Sequence, residues 1–133
     1  MTSVVAQVAG SLAVAAVAAV FAVGPAAAEP GSYVRIESGT IRCLVTQDTV
    51  VCERGPQFPS APPGYSGAVV TASGEFHWSN GNLGAGAYPD PMKIGATQHI
   101  NGWTIDATGD GTRFTNDATG HGMTVSVSKV SPF

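Results

Sequence analysis

The chain has 133 residues, 44% hydrophobic and 11% charged, with nine acidic against six basic side chains and a net charge of −3. The cations Arg35, Arg42, Arg54, Lys93, Arg113 and Lys129 are scattered, which excludes nucleic acid and an anionic membrane surface as partners, since both demand clustered positive charge. Seventeen Gly and nine Pro, with abundant Thr, Ser and Val, favour strands and turns over helices.

Residues 4–23 are almost unbroken Ala and Val, followed by Gly24-Pro25 and then Ala26-Ala27-Ala28. An apolar core, a helix breaker and a small-residue cleavage motif are the anatomy of a secretory signal peptide. Residues 1–28 are therefore read as a helical leader cut between Ala28 and Glu29, and residues 29–133 as one secreted or envelope-associated domain. No Lys or Arg precedes the apolar run. The alternative is an uncleaved anchor, because about 20 apolar residues can cross a bilayer. The Ala-rich composition and the interruptions at Gln7, Gly10 and Ser11 favour cleavage. After cleavage no membrane-spanning segment remains.

The two cysteines, Cys43 and Cys52, are read as a disulfide because an exported chain folds in an oxidising compartment. Two cysteines alone make a poor zinc site, which wants four ligands.

Past residue 28 no amphipathic helix is evident; short apolar/polar alternations separated by turn signals recur instead. Val34 and Ile36 alternate with Tyr33, Arg35 and Glu37, and Ser38-Gly39 reads as a two-residue turn. Ile41, Cys43 and Val45 follow, then a loop over residues 46–49, then Val50 and Cys52. Pairing Val45 with Val50 sets Cys43 opposite Cys52 and Arg42 opposite Glu53, a favourable cross-strand pair. It also sets Arg35 opposite Arg42, which is unfavourable unless Glu53 lies between their charges.

Residues 55–67 carry Pro56, Pro59, Pro62 and Pro63 and read as a loop with polyproline character. Strands over residues 68–71 and 75–78 flank a turn at Ser73-Gly74. A second long loop, residues 79–95, holds Gly81, Gly84, Gly86, Gly95, Pro89 and Pro91. Loops of this length in a compact domain are usually functional or mobile. Residues 97–100 and 103–107 form a hairpin about Asn101-Gly102, a dipeptide that supplies two positive φ angles. Asp110-Gly111 turns into a strand over residues 112–116, and residues 120–122 turn into a last strand with Met123, Val125 and Val127 inward. The expected fold is all-β: a small antiparallel sandwich or barrel of about eight or nine short strands. Trp103, Ile105, Phe114, Met123, Val125 and Val127 supply the second half of its core.

The segments Gly102-Trp103-Thr104-Ile105, Gly111-Thr112-Arg113-Phe114-Thr115-Asn116-Asp117 and Thr119-Gly120-His121-Gly122-Met123 resemble a pattern in small exported proteins of mycobacteria and related actinobacteria. Ile41-Arg42-Cys43, Val51-Cys52-Glu53 and Phe76-His77-Trp78 extend the resemblance over most of the mature chain. It implies export into a cell envelope of that kind and carries no catalytic or binding residue.

The chemistry-bearing residues are sparse. Asp106, Thr108, Asp110, Gly111, Thr112 and Asp117 fall at positions 1, 3, 5, 6, 7 and 12 of a calcium-loop pattern. Position 12 is Asp rather than Glu, Arg113 intrudes and no helices flank the loop, so the segment is read as a hairpin and no metal is assigned. His77, His99 and His121 lack metal-ligand spacing. There is no Gly-x-Ser-x-Gly elbow, and no nucleotide-binding glycine motif or other cofactor motif. Phe58, Tyr65 and Tyr88 lie on the two long loops and are the candidate binding residues; the alternative is that they fold back over the ends of the core. The function expected is a non-enzymatic exported domain that contacts a protein or an envelope glycan through those loops. The alternatives are a small secreted hydrolase built from Glu75, His77, His99 and Asp106, and a structural surface protein with no specific ligand.

Overall fold

The computed structural model describes residues 31–81, 83–84 and 88–133. The expected leader and its anchor alternative, within residues 1–28, lie outside the described residues. Ten strands form two antiparallel five-stranded sheets. The first sheet holds β1 (Ser32–Ile36), β2 (Ile41–Val45), β3 (Thr49–Arg54), β4 (Gly67–Thr71) and β5 (Phe76–Ser79) in chain order. The second holds β6 (Thr97–Ile100), β7 (Trp103–Thr108), β8 (Gly111–Asn116), β9 (Gly122–Val125) and β10 (Val130–Pro132), again with every neighbour consecutive.

Alternation sets the inner faces. Val34, Ile36, Ile41, Cys43, Val45, Val50, Cys52, Ala68 and Val70 of the first sheet pack in one core with Trp103, Ile105, Ala107, Phe114, Met123 and Val125 of the second. The register expected for the first three strands is the observed one: Val45 faces Val50, Cys43 faces Cys52, Arg42 faces Glu53 and Arg35 faces Arg42. The Cys43–Cys52 disulfide is fully buried and staples β2 to β3.

At one end, turns from both sheets interlock. Asn101 and Gly102 carry φ of 50° and 85°, as a type I′ hairpin requires. The Asn101 amide donates to the Val45 carbonyl at 3.0 Å, and the Trp103 indole N–H donates to the Thr46 carbonyl at 2.9 Å. Close approach explains Gly122, where an added Cβ would sit on the Phe114 carbonyl.

The structure corrects four details. Ser38-Gly39 is not a two-residue turn: Glu37–Gly39 form a short 3-10 turn in which Glu37, Ser38 and Gly39 all have positive φ. The β7–β8 turn is Gly109-Asp110, with Gly111 paired to Thr108 as the first residue of β8. The last strand ends at Val125, because Ser126 turns the chain: its N–H and hydroxyl both donate to the Lys129 carbonyl, at 2.8 and 3.2 Å. A Ser side chain bonding to nearby backbone favours a turn over continued strand. Val127 therefore sits in a bend, 38% exposed rather than in the core. The chain returns as β10, a tenth strand that the expected count of eight or nine lacks. Its Pro132 is tolerated because β10 is an edge.

Candidate functional site

Side chains that alternate with the core residues of the first sheet face outward, and register aligns them in rows across the strands. One row runs Arg35, Arg42, Glu53, Gly67, Ser79, from β1 to β5. The chain leaving β5 crosses this face. Leu83 N–H reaches the Glu53 carboxylate at 3.3 Å. Tyr88 sets its ring edge-on to Tyr33 at 4.7 Å, with the Arg42 guanidinium 5.4 Å from its centroid. Met92 N–H then donates to the Arg35 carbonyl at 2.9 Å, on the β1 edge. The described residues of the Gly-rich loop thus form a strap over the first sheet.

Under the strap Glu53 is buried, 7% exposed. Arg42 approaches one of its carboxylate oxygens with Nε at 3.0 Å and Nη2 at 2.8 Å. Among the described residues this is the only ion pair. A buried carboxylate is tolerable only when its charge is met in this way. Burial pushes the Tyr88 phenol above its ordinary 10.0, and Tyr33 and Glu53 push the same way while Arg42 opposes them. The Tyr88 hydroxyl donates to the Gly84 carbonyl at 3.1 Å.

Beside the strap the row opens into a groove of about 810 Å³, within the size range of small-molecule clefts. Arg35, Arg42 and Glu53 line its sheet side. Gly55, Pro56 and Ser66 come from the Pro-rich loop, and Asn80, Gly81 and Tyr88 from the strap. Two cations and one anion line it, and Arg42 is already bonded to Glu53. The guanidinium of Arg35 has no hydrogen bond or ion pair among the described residues. It rests over the turn at Gly39, where an added Cβ would stand 2.7 Å from its Nη2.

The three loop aromatics part company. Phe58 is fully buried, 5.9 Å ring to ring from Trp78, and closes one end of the core. It presents no ring to a partner. Tyr65 is exposed on the Pro-rich loop and does not line the groove. Tyr88 does line it. Arg35 and Arg42 were not singled out as site residues, although a signal was present: a like-charge pair held directly opposite is a cost that most sheets avoid.

The suspected hydrolase residues do not converge. His77 stands opposite Val69, on the outer face of the first sheet. His99 and Asp106 stand on the outer face of the second, where His99 Nδ1 is 3.1 Å from the Thr104 hydroxyl and Asp106 accepts from Thr97 at 2.6 Å. His121 lies against the Gly74 turn. The calcium-loop positions are spread along a hairpin: Asp106 opposite Arg113, Thr112 bonded to Glu37, Asp117 bonded to Thr104. Among the described residues no three His, Cys, Asp or Glu side chains gather as a metal site.

A second cleft, of about 850 Å³, runs between Glu37, Asp90, Lys93 and Thr108, with Ile94 and Val127 exposed at its rim. Its Glu37 carboxylate already accepts from Thr112. The first groove is the better candidate, because it alone joins a buried charge network to a cation with no partner among the described residues. No protein-family model, curated protein or solved structure matches the chain.

Proposed function

We infer that the protein is a non-catalytic, exported binding domain that takes an envelope component into the groove beside the strap. Export is inferred from the leader-like residues 1–28, and the buried disulfide is consistent with an extracellular setting. The observation that carries the binding reading is Arg35. A guanidinium held opposite a second Arg, without an acid of its own among the described residues, leaves its hydrogen-bond donors open to a ligand. Both long loops border the groove, so the expectation of a loop-built surface persists, with its centre moved from Phe58 and Tyr65 to Arg35, Arg42 and Tyr88.

Co-sedimentation with a protein-free, insoluble envelope glycan preparation tests this reading. Wild-type protein is expected in the pellet, and Tyr88→Ala in the supernatant with an unchanged β-sheet spectrum. Equal pelleting of both, or of neither, contradicts the assignment.

A further inference from the structure

We propose that the groove selects an acidic saccharide, with the carboxylate received by Arg35 and the hydroxyls by the polar rim. The inference rests on the groove being the ligand site and goes on to name the ligand's chemistry.

Charge is the first argument. Glu53 and Arg42 satisfy each other, so Arg35 supplies the excess positive charge of the groove on a chain whose net charge is −3. A local positive site on an acidic surface attracts anions to it. Arg rather than Lys matters, because the planar guanidinium fork matches a carboxylate with two parallel hydrogen bonds. The fork is also pre-placed: Gly39, lacking a Cβ, leaves the room in which the Arg35 guanidinium lies.

The rim is the second argument. Thr40 lies at the Arg35 end of the groove, and Ser66 and Asn80 at its far end beside β4 and β5, so two hydroxyls and an amide extend the groove away from the cation. Such groups donate and accept, which suits a polyhydroxylated ligand better than a bare ion or an apolar chain. None of the three side chains shows a hydrogen bond among the described residues. A bare phosphate would use Arg35 and leave this rim idle; a neutral sugar would use the rim and leave Arg35 idle.

Calorimetry on the purified protein with trigalacturonate, its methyl ester and inorganic phosphate separates these cases. Trigalacturonate is expected to bind. Its methyl ester, with the charge removed and the hydroxyls kept, should bind about 10–100-fold more weakly, the worth of a charge-assisted hydrogen bond. Arg35→Ala should show a similar loss for the acid, and Arg35→Lys, which keeps the charge without the fork, an intermediate one. Should Arg35→Ala fail to fold, Arg35→Lys and the ester carry the test. The proposal is overturned if the ester matches the acid, if phosphate matches trigalacturonate, or if Arg35→Lys binds the acid undiminished. If no probe binds while the wild type still pellets with envelope glycan, the acidic saccharide is wrong and the groove stands. If pelleting is also lost, both fall.

Discussion

Arg35, Arg42 and Glu53 form a row in which the middle residue settles the electrostatics. Arg42 bonds to Glu53, which offsets the repulsion between the two arginines and leaves Arg35 turned to the groove. Glu53→Gln keeps the shape and removes the charge. It should lower the unfolding free energy by about 1–3 kcal/mol, the cost of a lost charge-assisted bond at a buried site, with the urea midpoint as the readout. The Leu83 amide, freed of its charged acceptor, should exchange its hydrogen faster. Tyr88 gives a pH prediction. Its folded-state pKa lies above the ordinary 10.0, chiefly through burial, so the neutral phenol is favoured in the folded protein. The stability it contributes is complete below the unfolded value and is lost as pH rises through the folded one. Absorbance at the phenolate band should show a late-ionising component that Tyr88→Phe removes; an unchanged titration would contradict the packing of Tyr88 under Arg42 and Tyr33. The row itself was legible in the sequence, because the apolar alternation of residues 41–52 fixes the register. The burial of Glu53 was not: it depends on a strap whose path no periodicity encodes. The sequence left Phe58 open between a surface ring and one folded over the core for the same reason, since a Pro-rich loop does not say which way a side chain points.

Among the elements, β2 and β3 are the most constrained, paired along their length and joined by Cys43–Cys52. A bridge with a sequence separation of nine closes a short loop. Removing it as Cys43→Ala/Cys52→Ala should cost about 2–3 kcal/mol in the chain-entropy account, read as a lower melting temperature. A reductant should reproduce the shift in the wild type and leave the double variant unmoved. Hairpins were the most readable elements where the turn chemistry is local, as at Asn101-Gly102. The end of β9 was not read, because the alternation of residues 123–128 continues past the point where Ser126 captures Lys129. The capture is a side-chain event that alternation does not register.

For the molecule as a whole, two consecutive meanders meet on one core, and all-β architecture followed directly from composition and alternation. The break between the two sheets falls at the Gly-rich loop, whose Leu83, Tyr88 and Met92 contact the first sheet before β6 begins. Trp103 belongs to both halves: its ring is in the shared core and its N–H bonds to the β2–β3 turn. Trp103→Phe should cost about 1–3 kcal/mol, through a residual cavity and a carbonyl left without its donor, measured by denaturant unfolding. The proposed ligand face is the outer face of the first sheet. The direct measurement is an amide chemical-shift map of the labelled protein titrated with solubilised envelope glycan. Shifts centred on residues 35–42, 53–56, 66, 80, 81 and 88, with β6 to β10 unmoved, are predicted; shifts centred on the second sheet, or none at saturating glycan, would contradict it.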